Sequence, residues 1–348
     1  MARHLARTCR LGLAGAVLFI TIAAPLVIVA QSRQLRLVST TWPPFTGAAG
    51  QPRYALDLVE AALGKADITA LSLFVDAGAY TRSLLGPSYD GSAAAWKDPQ
   101  REKLLLFSEP YLENRLVLVG RRGADVSATT LAAVKGKRVA VVDGYSYGGD
   151  VERAGPSFVR TAGEEDSLRQ LLASKVDFAL MDELVVNYLV ENHAEQAQAR
   201  LQLGTTPLVT RPLYLAISRS RPDAQAIIDR FNGQLRGMIA DRTYHRLLHV
   251  EWIRADVDGD GTTEFIPQSD RVGTSEPQRA YAVLSSNSGG GLSIPGATMP
   301  ATTTEKPGFY IGGNIYRDWA SVPESYRVVD PTWKDPRRAS ASIFRFVF

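Results

Sequence analysis

Cysteine is all but missing. The 348-residue chain has one, Cys9, and it precedes an apolar run instead of following it. That position is wrong for a lipid-acceptor cysteine. Everything after the run has no thiol, which excludes disulfides, thiolate metal sites and a cysteine nucleophile. Excess charge of one sign is missing too. The net charge is +3, but residues 1–30 hold Arg3, Arg7 and Arg10 and no carboxylate, so the remainder sits at 3 − 3 = 0. With no dense basic stripe beyond residue 30, charge speaks against nucleic-acid binding. No repeat of fixed period is present.

What is present begins with a leader. A basic start is followed by a charge-free run from Leu11 to Ala30. A basic segment before an apolar one is the pattern of a secretory signal, with cleavage expected near Ala30. The run is also long enough to span a bilayer, so an uncleaved anchor is the alternative. Either way the rest is expected outside the cytoplasm, in a periplasmic or other extracytoplasmic space. At 45% hydrophobic and 22% charged residues the chain is globular in composition.

From Gln34 to about Glu251, short β-rich runs alternate with helical patterns, which predicts parallel α/β sheets. Strands are expected at 35–39, 71–75, 115–120, 138–142, 178–181 and 214–218. Helices are expected at 54–63 with Gly64 as the stop, at 167–174 and 184–191, and over 223–248 with a break near Gly237. After Glu251 the texture changes. Residues 285–307 are rich in Ser, Gly, Thr and Pro and predict a linker or long loop. Strands are expected at 309–315 and 343–348, so 254–348 is expected to be a separate, mostly β or partly disordered appendage.

Several motifs stand in a telling order. They are TWPPF (Thr41–Phe45), DPQREKLLLFSEPYLENRLVLV (Asp98–Val119), KGKRVAVVDGYS (Lys135–Ser146), VDFALMDELVVNYLV (Val176–Val190) and RPLYLAISRSRPD (Arg211–Asp223). Through them residues 34 to about 252 resemble the family 3 extracellular solute-binding proteins, the amino-acid receptors of ABC importers. The resemblance implies a two-lobed α/β fold with two crossover strands, near 116–120 and 207–214, and a ligand cleft between the lobes. Lobe one would be 34–118 plus 208–252, and lobe two 119–207. It implies a non-enzymatic protein whose partners are a small polar ligand and the membrane subunits of an importer.

The same resemblance assigns roles. Arg101 would grip a ligand carboxylate, for which a guanidinium fork donating two parallel hydrogen bonds is suited; without the family, a surface charge beside Glu102 and Lys103 is the plainer account. Asp182 would take an ammonium group, or else cap the helix that follows. Trp42 matches an aromatic that packs on the ligand, with Trp96 and Tyr80 as further wall and Arg82 as a second cation. Ser146 keeps the hydroxyl expected at the start of the second lobe, while Tyr145 departs from the small residues usual there. Ala93, Ala94 and Ala95 stand where hydroxyls are usual, which leaves the ligand's identity open.

Other signals carry less. Gly144–Gly148 spells G-x-S-x-G between a strand and an expected helix, but a serine hydrolase needs a histidine in context. His245 and His249 share a helix face, yet HRLLH lacks the glutamate of a zinc protease. A cyclohexadienyl dehydratase-like enzyme on this scaffold would need a cleft acid or base, and only Glu109 and Asp182 lie near the motifs. A ligand-sensing receptor is a further alternative. Finally, Asp256, Asp258, Asp260 and Glu264, with the Thr262 carbonyl, offer oxygens at alternate positions and predict a Ca2+ loop, Gly261 allowing the turn. No cofactor is expected in the cleft.

Overall fold

The computed structural model describes residues 34–48, 50–192, 199–257, 262–277, 280–282 and 307–327. The leader, His193, Asp258, Asp260, most of the 285–307 stretch and the strand expected at 343–348 lie outside the described residues. Among the described residues no helix is long and apolar enough to cross a membrane.

The chain enters through strand β1 (Leu35–Ser39), whose inward residues Leu35 and Leu37 are buried. Helix α1 (Tyr54–Lys65) follows. Its apolar residues Ala55, Leu58, Val59 and Ala62 recur at helical spacing and are all buried. Gly64 lies inside this helix, one residue before its end, and does not stop it. The TWPPF turn satisfies the helix's first backbone donors: Tyr54 and Ala55 N–H donate to the carbonyls of Pro44 and Phe45. Strand β2 (Ala70–Phe74), helix α2 (Ala77–Leu85) and strand β3 (Gly91–Ala95) complete a parallel β2–β1–β3 unit.

Short strand β4 (Leu105–Phe107) leads into the long strand β5 (Leu112–Arg121). A second parallel unit comes next, with β6 (Arg138–Val142), α3 (Gly149–Glu152), β7 (Ser157–Thr161), α4 (Glu164–Leu172), β8 (Phe178–Asp182) and α5 (Glu183–Asn192). Strand β9 (Leu201–Leu203) and the long β10 (Val209–Ser218) return the chain. The sheet order is β2–β1–β3–β10–β5–β8–β6–β7. The two parallel units are therefore joined by one antiparallel pair, in which Leu112 to Leu116 of β5 face Leu213 to Val209 of β10. Each of these strands then runs on into one unit, β5 along β8 and β10 along β3. Gly91 is required at the β3–β10 contact, because a Cβ there would collide with the Ala216 carbonyl.

Helix α6 (Ala224–Ala240) buries Ile227, Ile228, Phe231, Leu235 and Met238 against the first unit. The break comes after Ala240 and not at Gly237. Arg242 takes a left-handed φ of 65° before α7 (Thr243–Leu248) begins.

The tail forms a five-stranded sheet of β11 (Trp252–Ala255), β12 (Glu264–Pro267), β13 (Tyr281–Ala282), β14 (Phe309–Ile311) and β15 (Asn314–Tyr316), in the order β13–β11–β12–β14–β15. The strand expected over 309–315 is a hairpin that turns at Gly312 and Gly313, both with positive φ. Ile253, Ala255 and Ile266 belong to the same continuous core as the α/β body. Buried His245 of α7 contacts the Ile266 carbonyl at 3.0 Å. The tail sheet is thus packed onto the body through apolar side chains and a histidine.

Candidate functional site: a cavity at the strand ends

Most of the site follows the carboxyl ends of parallel strands, where open α/β sheets present ligand groups, with Leu116 and Leu213 of the antiparallel pair as its floor. Thr40 and Trp42 follow β1, Trp96 follows β3, Gly144 to Ser146 follow β6, and Asp182 ends β8. Together they enclose two neighbouring cavities. The first has a volume of about 370 Å³ counted out to its mouth, and its wall includes Tyr80, Arg101 and Ser146. The second is a much narrower gap bounded by Tyr147, Glu164 and Asp182. Trp42, Trp96 and Tyr145 line both and form the partition.

Arg101 is only 4% exposed, which removes the solvated-cluster account. It sits in a short 3₁₀ turn whose geometry Asp98 sets, accepting from Gln100 and Arg101 N–H at 2.8 Å. The guanidinium donates to the Trp96 carbonyl at 2.9 Å and to Thr81 Oγ1 at 3.2 Å, and its Nε lies 3.3 Å from Asp98 Oδ2. It also stands 5.9 Å over the Tyr80 ring. Tyr80 is fixed in turn, its hydroxyl reaching Ser92 Oγ at 2.8 Å and the Ala94 carbonyl at 2.9 Å. The backbone around Ala93–Ala95 thus supplies the polar contacts that its side chains lack. The Tyr111 hydroxyl likewise donates to the Ala93 carbonyl at 2.6 Å.

The rings form a box. Trp96 and Tyr145 meet edge to face at 5.4 Å, Trp96 and Tyr147 at 5.5 Å, and Trp42 and Tyr145 at 5.7 Å. Trp42 Nε1 is buried without a hydrogen-bond partner of good geometry. Two clasps cross from the first parallel unit to the second: Ser146 Oγ to Asp98 Oδ2 at 2.5 Å, and Thr81 Oγ1 to the Gly144 carbonyl at 3.2 Å.

Asp182 is buried and accepts four hydrogen bonds. Oδ1 takes Leu184 N at 2.8 Å and Val185 N at 3.3 Å, the contacts of a helix cap. Oδ2 takes Arg115 N at 3.0 Å and Asn114 Nδ2 at 3.1 Å. Asn114 Oδ1 accepts from Trp96 Nε1 at 2.7 Å, so one polar chain runs from the cavity wall through β5 to the cap of α5. Burial pushes the Asp182 carboxyl up to about 7, against the pull of its backbone donors. Arg101 and Asp182 line different cavities, with the aromatic partition between them.

Two residues differ from their expected places. Arg82 is exposed on α2 and lines neither cavity; its neighbour Thr81 faces Arg101 instead. Glu109 is half-buried at Arg236 of α6, with its N–H on Asn232 Oδ1, and is not in the cavity walls. Sequence reasoning missed Glu164, at the first turn of α4. It accepts the Tyr145 hydroxyl at 2.9 Å, and burial raises its carboxyl above the ordinary range. Nothing in its run of acids, Glu164–Glu165–Asp166, separates it from a solvated helix start.

The G-x-S-x-G serine has Asp98, not a histidine, as its partner. His245 is occupied with the tail sheet. Of the expected Ca2+ ligands, Asp256 and Glu264 are buried, Thr262 is half-buried, and Asp258 and Asp260 lie outside the described residues. Glu264 Oε2 accepts Val257 N–H at 3.1 Å and offsets the charge of Arg254. Among the described residues no three His, Cys, Asp or Glu side chains gather as a metal site.

Two parallel α/β units joined by a shared antiparallel pair, with an arginine-bearing cavity at the strand ends, define the periplasmic-binding-protein fold. Comparisons with known proteins agree. The chain is a homologue of "ABC transporter arginine-binding protein 1" of Escherichia coli (strain K12), at 27% identity over 223 residues, 60% of this chain and 86% of that protein. Among solved structures it superposes on an ancestral arginine-binding protein bound to arginine, with a TM-score of 0.53 at 22% identity over 62% of this chain and 96% of the other. It superposes equally on the GluR0 ligand-binding core with L-glutamate, with a TM-score of 0.53 at 14% identity, covering 62% and 97%. No protein-family model matches the sequence. The sequence relative and the superposed structures are amino-acid-binding proteins, to which this chain is similar in sequence and fold.

Proposed function

We propose that this protein is an extracytoplasmic receptor that closes its two α/β units around a small, polar, amino-acid-like ligand and delivers it to the membrane subunits of an ABC importer. The observation that carries this is Arg101, a buried guanidinium in the wall of an aromatic cavity at the strand ends. A ligand carboxylate brought there meets a fork held by Asp98 and the Trp96 carbonyl. Trp42, Trp96, Tyr80 and Tyr145 would cover its apolar part, and Ser146 would close behind it. Support comes from the E. coli relative and from an ancestral arginine-binding protein solved with glutamine, similar at 24% identity and a TM-score of 0.52.

A sensing role on the same cleft has a specific neighbour in its favour. The chain superposes with a TM-score of 0.53, at 16% identity, on a histidine kinase sensor domain described as similar to periplasmic binding proteins. The test is a thermal-shift and titration-calorimetry screen of the exported protein against the common amino acids. Stabilisation by at least one of them, lost at least 100-fold in Arg101→Ala, is expected. No stabilisation by any, or an Arg101→Ala variant that binds as wild type, would overturn it. Mass spectrometry of the exported chain separates the roles, because retention of residues 1–30 favours a tethered sensor.

A further inference from the structure

The tail sheet meets the body at the root of the shared antiparallel pair, and helix α7 stands between them. His245 of α7 faces the Ile266 carbonyl of β12 at 3.0 Å. The residue before it, Tyr244, donates its hydroxyl to the Tyr111 carbonyl at 2.7 Å. Tyr111 immediately precedes β5, the strand that leaves the first unit and runs on into the second. Arg242, at the turn before α7, adds a second grip, 3.3 Å from Asp270 Oδ1 and 6.0 Å from the centre of the Tyr310 ring. The tail is therefore fastened to the first unit at the base of β5.

Charge gathers at the same place. Glu113, the second residue of β5, lies opposite Pro212 in the shared pair. Burial works most against its carboxylate, and the like charge of Glu183 adds to that, while the cations Arg115 and Arg254 work for it. These neighbours come from three different parts of the fold. Arg115 is on β5 itself. Glu183 opens α5 of the second unit and stands 3.5 Å from Arg115 Nε. Arg254 belongs to β11 of the tail, where its Nη2 donates to Thr263 Oγ1 at 2.6 Å and its guanidinium lies 5.7 Å from the centre of the Phe265 ring, its partner across β12. Glu264 acts on it from the same strand. Without Arg254, Glu113 and Glu183 would share one cation at the point where the units join. Like charges repel strongly where water is scarce.

Resting on the receptor reading only for the premise that the two units move, we infer that the tail sheet is a brace on the crossover: Arg254 reaches from the tail to neutralise Glu113 beside Glu183, and so holds the two units in the closed arrangement. That arrangement is the one in which Ser146 meets Asp98 and Thr81 meets Gly144. Arg254 is a positioning residue, which acts on the cavity through the joint and not by contact.

The experiment measures the distance between the units in the full exported chain, without ligand, at pH 8. Cys9 is the chain's one cysteine. In a Cys9→Ser background, spin labels at the exposed positions Lys103→Cys of the first unit and Glu165→Cys of the second stand alone. Pulsed dipolar spectroscopy then gives the distance distribution. Arg254→Gln is expected to raise the population at the longer distance about threefold. Arg254→Lys should stay near wild type. Glu113→Gln added to Arg254→Gln should bring the distribution back, a rescue that a space-filling role for the tail does not provide. An unchanged distribution in Arg254→Gln overturns the inference, and so does an opening that Glu113→Gln fails to reverse. Should Arg254→Gln not fold, Glu113→Gln alone decides. It is expected to shift the units toward the shorter distance, and no shift overturns the brace. Units fixed at one distance in every variant of a protein that an amino acid still stabilises overturn the brace and leave the receptor assignment standing. Opening and rescue in a protein that no amino acid stabilises do the reverse.

Discussion

Ser146 Oγ donates to Asp98 Oδ2 at 2.5 Å, and the two residues come from different parallel units. Asp98 also holds Arg101 Nε, so the contact between the two units shares its acceptor with the residue proposed to meet a ligand carboxylate. On that proposal, closure and recognition would be coupled through one carboxylate.

Ser146→Ala removes this clasp and leaves Arg101 and the aromatic box in place. A hydrogen bond to a charged group is worth about 1.5 kcal/mol or more, hence roughly a tenfold change. The expected outcome is a dissociation rate about tenfold faster with little change in association, measured by stopped-flow fluorescence of the cavity tryptophans. An unchanged dissociation rate would show that the contact does not hold the closed state.

Ligand binding should release protons near neutrality. Asp182 ionises near 7 in the unliganded protein, and Glu164 is shifted upward as well, because burial disfavours both charges. If the positive group of an amino-acid ligand enters their cavity, it would favour ionisation. Affinity for the amino acid that stabilises the protein is therefore expected to fall as pH drops from 7 to 5. Calorimetry at pH 6 in two buffers of different ionisation enthalpy should show uptake of protons by buffer. Equal heats in the two buffers would contradict this.

His245 and the raised carboxyls make stability depend on acidity in opposite senses. Its ring is buried among Tyr244, Ile266 and the like charges of Arg242 and Arg246, which lowers it to about 4 from 6.5. A lowered histidine contributes stability that is present above 6.5 and lost as pH falls toward 4, on the order of 3 kcal/mol in all. Asp182 and Glu113, both raised to about 7, contribute stability that is present below their unfolded values and lost as pH rises toward 7. The two slopes oppose each other between about 4 and 6.5. His245→Gln should remove one of them, so chemical denaturation of this variant and of wild type should diverge more with each step up from pH 4 toward 6.5. Parallel curves would show that the histidine is not buried neutral.

Ile253 tests the attachment of the tail sheet. It is fully buried in the core shared with the α/β body. Ile253→Ala should cost about 2–5 kcal/mol, read as a single lowered denaturation midpoint for the whole protein. Two separated transitions would mean that the tail folds independently.

The 256–264 loop is tested by metal alone. Asp256 and Glu264 are buried near one another's strands, and Ca2+ held by them with Thr262 would raise the melting temperature on titration. The Glu264→Gln variant should lose that rise. No change with millimolar Ca2+ would assign Glu264 to offsetting Arg254 alone.

The sequence by itself determined the alternation of strands and helices, because side chains repeating every two or every 3.6 residues declare which face is buried. It also marked Arg101, Trp42, Tyr145 and Ser146, which sit in motifs whose order along the chain is distinctive, and Trp96 and Tyr80 outside those motifs. It could not show that Arg82 points to water while Thr81 faces Arg101, since adjacent helix residues differ by about 100° and the burying neighbour is remote in sequence. Nor could it separate Glu164 from its acidic neighbours. Only the folded sheet brings the end of β7 beside Tyr145, and only there does one of three similar carboxylates lose its water. The capping of α5 by Asp182 and the continuity of the tail with the core were likewise decided by tertiary packing, because each depends on groups far apart in the chain meeting in one dry place.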